Sequence, residues 1–223
     1  ILDAVLRGLG PDDPVWSLPV QAIGFSPEHQ AFPGTLTLTA DLLLQLVDQV
    51  GGQLAAIGAR RLLLFNAHGG QIGLLQVAAR QLRARCPSMA VLPCFLWSGV
   101  PGLASLLPEQ ELESGLHAGQ AETSLMLQLE PQLVGAERPV DGVHGSGSTI
   151  SPPPGWSLEG AAPCAWLADD LSKSGVIGDA RNASTSLGAL LEQLLVDHWI
   201  AMVQALLASD WPPASSLRDQ TSC

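Results

Sequence analysis

The stretch that most constrains this chain is Arg61-Leu62-Leu63-Leu64-Phe65-Asn66, closed by Ala67-His68-Gly69-Gly70 and followed by a helix-length segment over residues 71–85. An apolar run without alternation reads as a strand covered on both faces, the setting of a parallel sheet. Parallel neighbours need a long crossover, and residues 71–85 are long enough to supply one. A second apolar run over 89–96 reads as the next strand. An earlier run over 15–25 reads as a buried strand despite Ser17 and Gln21. Helical periodicity places Ile1, Leu2, Val5, Leu6 and Leu9 on one face, and further helices are predicted over 39–57, 102–112, up to 129 before Pro131, and 184–208. Thr39 fits an N-cap and Gly58 a C-cap. The Gly51-Gly52 pair inside the 39–57 helix reads as a weak point of about 1 kcal/mol per glycine relative to alanine. This order predicts an α/β fold, three-layer α/β/α with a mostly parallel central sheet. It predicts a single domain over residues 1–210 and a frayed tail over 211–223. Residues 141–163 are rich in Gly, Ser and Pro and read as a long functional loop.

Composition excludes several partners. Ten basic residues face 21 acidic ones in 223, a formal charge of -11. A nucleic-acid partner needs a basic footprint, and anionic lipid needs the same sign, so neither fits. No run of 18 apolar residues lacks a polar break, so no membrane span is expected. Charged residues are only 14% and hydrophobic ones 47%, which suggests apolar surface covered in a homo-oligomer. Cys86, Cys94, Cys164 and Cys223 form no C-x-x-C pair and read as buried thiols of a reducing, cytoplasmic compartment.

In open sheets of this class ligands bind beyond the carboxyl ends of the strands. His68 lies there, directly after Asn66-Ala67, with Gly69 and Gly70 letting the backbone come close to a ligand. It reads equally as a metal or catalytic histidine, a solvent-facing turn residue, or part of an anion-holding loop at a helix start. His117 and Glu122 converge only if His117 precedes a helix and Glu122 opens it, a break that Gly119 makes plausible. A carboxylate next to the apolar run from Leu125 to Leu129 is ligated, paired or at a rim, or it serves the helix dipole. Ser26-Pro27-Glu28-His29 is a rigid loop whose His29 and Glu28 face the same cleft or make an ordinary turn. Trp97 follows the 89–96 strand and lines the cleft on this reading. His144 sits in the long loop and His198 in the closing helix; both read as surface or structural residues. No G-x-S-x-G elbow, G-x-G-x-x-G or Walker loop is present, so metal-assisted hydrolysis is the chemistry left standing.

Three segments in order, Phe25-Ser26-Pro27-Glu28-His29 with Phe32-Pro33-Gly34-Thr35, then Asn66-Ala67-His68-Gly69-Gly70-Gln71, then His117-Ala118-Gly119-Gln120-Ala121-Glu122-Thr123-Ser124, resemble the creatininase (creatinine amidohydrolase) family. The segment from Gly175 through Gly188 resembles its C-terminal element. The resemblance implies an α/β/α fold and a two-metal site, zinc or manganese, that hydrolyses C–N bonds of cyclic or linear amides. Members include creatinine amidohydrolase, a formamide hydrolase of flavin and deazaflavin precursor synthesis, and a peptidase that trims a redox-cofactor precursor; many are hexamers. It implies His68 and Glu122 at the metal, His117 and Glu122 in catalysis, with His117 shuttling protons, and Ser26, His29, Gly69, Gly70 and Trp97 towards the substrate. Ala67 and Gln71 stand where the family has Gly and Asn, and Gln120 where an acidic residue is common. The family's early Glu-x-His-Gly segment and following Asp have no match here, so the chain as given is expected to bind metal poorly. On that ground a non-catalytic family member, serving as an oligomer subunit or a small-molecule or phosphate-binding module, is the alternative.

Overall fold

The computed structural model describes residues 1–142, 151–160 and 162–213. His144, Cys223, part of the predicted 141–163 loop and most of the predicted tail lie outside the described residues. Two compact units emerge from the chain. The first comprises Ile1–Gly8, Pro27–Thr35 and Val100–Trp199; the second comprises Leu9–Ser26, Leu36–Gly99 and Ile200–Cys223.

The second unit holds the predicted strand–helix–strand element. Strands β1 (Arg61–Asn66) and β2 (Ala90–Phe95) pair in parallel, Arg61 opposite Ala90 and Asn66 opposite Phe95. Helix α3 (Ile72–Arg85) is the crossover and packs on helix α2 (Ala40–Ala56). Leu82, Cys86 and Met89 are fully buried, with Val47, Ala55, Leu62 and Val91 packed around them. The glycine pair in α2 is therefore no weak point. A Cβ on Gly51 would collide with the Leu82 side chain, and one on Gly52 would lie 2.5 Å from the Arg85 guanidinium. Gly51 lets α2 and α3 approach closely, and Arg85, whose tip lies over Gly52, bonds Asp48 Oδ1 at 3.0 Å and the Asp48 carbonyl at 2.6 Å. The expectation of buried thiols fails: Cys94 on β2 and Cys164 of the first unit are free but only half-buried, and Cys86 is disulfide-bonded.

One strand expectation fails. Residues 15–25 join no strand among the described residues. Pro14 and Pro19 remove ladder donors, and the side chains face solvent, Trp16 92% and Val20 78% exposed.

The first unit is mainly helical: α1 (Leu2–Gly8), α4 (Leu103–Leu106), α5 (Glu109–Ser114), α6 (Gln120–Leu129) and α7 (Ala168–Leu171). The single helix expected over 102–112 is broken at Pro108, which cannot continue a helix and serves as the N-cap of α5 instead. Strands β3 (Val140–Asp141) and β4 (Gly178–Asp179) form a short antiparallel pair. The core of this unit is Ala168, Leu171 and Ile177 with Phe32, Leu116, Leu158 and Trp166.

Helix α8 (Thr185–Leu207) supplies residues to both units. Its mean hydropathy of 1.3 and its length would suffice to cross a membrane. However, Leu191, Leu195, Trp199 and Val203 are buried at a spacing of four, as on the core-facing stripe of an ordinary helix.

Candidate active site

The turn from His117 to Glu122 is built by the first unit. His117 is pinned to Ile177 by backbone bonds in both directions, its N–H to the Ile177 carbonyl at 3.1 Å and the Ile177 N–H to its own carbonyl at 2.8 Å. The chain then passes through Ala118 at φ 51°, the one non-glycine residue in the left-handed region among those described. A non-glycine residue there needs outside support. Glu122 provides it, accepting the Ala118 N–H at 2.7 Å, while the Thr123 hydroxyl donates to the Ala118 carbonyl at 2.9 Å. His117 thus precedes α6 and Glu122 sits in its first turn, as the spacing required.

His29 ends a 3-10 turn over Pro27–His29 and is 9% exposed. Its ring lies against that of His117, centroids 4.1 Å apart and tilted by 36°. Glu28 Oε1 is 3.6 Å from His29 Nε2. Two donors on one tetrahedral zinc sit about 3.3–3.5 Å apart when each bond is about 2.0–2.1 Å. The Glu28–His29 separation therefore fits a shared ion with a small adjustment, and imidazole with carboxylate is the donor chemistry of zinc or manganese.

A third carboxylate, not singled out from the sequence, stands behind this turn. Glu111 of α5 accepts the Ala121 N–H at 2.9 Å. Burial raises the pKa of Glu111 above the ordinary carboxylate value, and the nearby charges of Glu122 and Asp179 add to the rise. Asp179 is held below its ordinary value, chiefly by the Arg181 side chain, whose nitrogens reach its oxygens at 2.6 and 3.0 Å. Glu111, Ser114, Gln120, Asp179, Arg181 and Asn182 line a cleft of about 240 Å³. In sequence Glu111 belongs to Glu109-Gln110-Glu111-Leu112-Glu113, which looks like a solvated helix face.

The second unit carries the remaining predicted residues. His68 follows the carboxyl end of β1, and Trp97, half-buried, follows that of the adjacent β2. Asn66 is 4% exposed and brackets the His68 peptide: its Nδ2 donates to the His68 carbonyl at 2.7 Å and its Oδ1 accepts the His68 N–H at 2.9 Å. Gln71 Nε2 donates to the same Oδ1 at 2.8 Å, and Gln71 Oε1 accepts the Phe25 N–H at 3.0 Å. The next N–H, of Ser26, donates to Thr37 Oγ1 at 2.7 Å. The asparagine side chain, rather than glycine freedom, shapes this turn: neither Gly69 nor Gly70 has positive φ, and a Cβ on Gly69 would meet open space. His198 stacks edge-on against Trp199, ring centroids 5.2 Å apart.

A family model described as creatinine amidohydrolase matches residues 1–203. The mycofactocin precursor peptide peptidase of Mycobacterium tuberculosis is 32% identical over 193 residues, 83% of this chain and 64% of that protein. The chain thus spans just under two-thirds of the length of that relative. The creatinine amidohydrolase of Pseudomonas putida is 38% identical over 119 residues, 49% of this chain and 46% of that protein. Among solved structures, a creatinine amidohydrolase (creatininase) is 28% identical with a TM-score of 0.59, covering 80% of this chain and 68% of that one. A manganese form of creatininase is 25% identical with a TM-score of 0.57, and a mutant creatininase of Zn-Zn type is 25% identical with a TM-score of 0.58; each covers 80% of this chain and 68% of that one.

Proposed function

The chain belongs to the creatininase family, and on that premise we propose that it is a metal-dependent hydrolase of C–N amide bonds in cyclic or linear amides. The observation that carries this reading is the His117 ring lying against buried His29, itself beside Glu28, on the turn that also bears Glu122. Glu28 and His29 are the donors whose separation suits a zinc or manganese ion; His68 and Glu122 are proposed as further ligands on the strength of the family motif. Such an ion, when bound, lowers the pKa of a coordinated water towards neutrality and polarises an amide carbonyl.

The protein's own part is positional. His117, held by Ile177 on both backbone groups, carries the proton from the attacking water to the leaving nitrogen, because an amine leaves poorly unless protonated. Partial burial of His29 and Glu28 keeps bulk water from screening the charges that develop. Ser26, Gly69, Gly70 and Trp97 are proposed to face the substrate. A homo-oligomer is also proposed, supported by the exposed Trp16 and Val20.

The test is hydrolysis of creatinine, small formamides and short peptides with zinc or manganese in excess. Turnover of one class is expected, abolished by chelator and reduced at least about a hundredfold in His117→Ala. Turnover indifferent to chelator, or no turnover of any of the three with metal content confirmed by elemental analysis, would overturn it.

A further inference from the structure

Helix α6 lacks a cap of its own. Its N-cap is Gly119, which has no side chain to take the orphan N–H groups of the first turn. Glu122 reaches back to the Ala118 N–H, one residue before that N-cap. The place of a capping side chain is filled from another helix: Glu111 Oε1 takes the Ala121 N–H at 2.9 Å, at the positive end of the α6 dipole.

The surroundings of that carboxylate are cleared for it. A Cβ on Gly115, at the end of α5, would lie 2.7 Å from the Glu111 carboxyl group. One on Gly119, at the start of α6, would lie 2.6 Å from Oε1. One on Gly178, in β4, would lie 3.6 Å from Oε2 and 2.9 Å from the Gly119 Cα. Two glycines at facing helix ends therefore leave room for one carboxylate, Gly178 of β4 leaves room for Gly119, and each element adjoins the turn that presents His117. Gly178 follows Ile177, the residue that pairs with His117.

We propose that Glu111 is a positioning residue for the reaction: as a cap supplied from α5 it fixes the start of α6, and through it the Ala118 turn and the His117 ring. The proposal rests on the function argued above, where His117 is the proton carrier. Glu111 acts as a hydrogen-bond acceptor held in a glycine cradle, so an uncharged acceptor of the same length can replace it.

The experiment compares Glu111→Ala, Glu111→Gln and Gly119→Ala in the full chain, with the Ala121 amide and the His117 ring followed by NMR and turnover measured with metal in excess. In Glu111→Ala the Ala121 amide is expected to lose exchange protection, the His117 ring signals to shift, and kcat to fall at least tenfold with KM changed less than threefold. Glu111→Gln is expected to restore all three to within about threefold of the parent. Gly119→Ala, whose methyl displaces the carboxylate without removing it, is expected to resemble Glu111→Ala. A parent-like Ala121 amide and His117 ring in Glu111→Ala would overturn the proposal, as would a Glu111→Gln variant as impaired as Glu111→Ala. If the parent shows no metal-dependent turnover, the proposed function falls, while the two NMR readouts still decide whether Glu111 sets the turn.

Discussion

Gly188 lies on α8 where it passes α6. A Cβ there would sit on the Ser124 carbonyl oxygen, with Gln128 Cβ 2.7 Å away. Carbon atoms in proteins meet at about 3.5–4.0 Å, so an alanine methyl overlaps Gln128 by close to 1 Å and the Ser124 backbone by more. The obstacle is main chain, not the tip of a flexible side chain, so the two helices must separate. Overpacking of this kind costs about 1–3 kcal/mol, and a rigid backbone neighbour places Gly188→Ala towards the upper end. The gain in helix propensity returns about 1 kcal/mol, leaving a net destabilisation of about 2 kcal/mol. For a chain of this size that lowers Tm by roughly 4–8 °C. Gly73 in α3 is the control: nothing lies within 4 Å of a Cβ there. Gly73→Ala is expected to hold or raise stability, by up to about 1 kcal/mol, and Tm with it. Thermal unfolding followed by circular dichroism reads both. If Gly188→Ala melts at or above the parent temperature, the close contact of α6 and α8 is wrong. Because α6 carries Glu122, the geometry of the His117–Glu122 turn would fall with it.

Asp141 predicts an acid-sensitive element. Burial alone would raise its pKa, but Oδ2 accepts from Ser172 Oγ at 2.9 Å and from the Lys173 and Ser174 N–H groups at 2.9 and 3.1 Å, and the balance lowers it to about 2. A depressed folded-state value stabilises above the ordinary carboxylate pKa, so this contribution is complete above about pH 4 and fades as pH falls towards 2. Discounted for solvent screening, it amounts to about 1 kcal/mol; Asp141→Asn should remove it, so the urea midpoints of the two proteins should differ at pH 6 and converge at pH 2.5. Asn66→Ala strips both bonds from the His68 peptide in a buried setting, and a loss of about 1–3 kcal/mol is expected in urea unfolding; a change below about 0.5 kcal/mol would contradict the bracket. Burial pushes the Cys94 thiol up to about 11, so iodoacetamide at pH 8 should label it far more slowly than an unfolded-state control; equal rates would place it in solvent.

What was legible in the sequence was what local pattern determines. The run over 61–66 and the stripe through Leu191, Leu195 and Trp199 carry their own periodicity, so β1 and α8 match expectation within a residue or two. The His117–Glu122 break was legible because Gly119 and the five-residue spacing left no other way for them to converge. The 15–25 run misled because apolar character alone does not supply a neighbouring strand, and Pro14 and Pro19 weighed against one. Gly51 misled for the opposite reason: its value lies in Leu82, thirty-one positions away. Glu111 was unreadable as a functional residue because its partner N–H belongs to a different helix, and nothing in an acidic helical segment reveals that.

The Asn66 bracket changes how the neighbouring position should be regarded. The family resemblance leads one to expect glycine where Ala67 stands, yet its backbone is outside the left-handed region. The loop's contour is imposed by a side chain gripping residue 68 from one position upstream of residue 67, so residue 67 itself is a bystander. Sequence drift at that position is cheap here, whereas a change of one methylene at 66 would misplace both atoms that grip the backbone of residue 68.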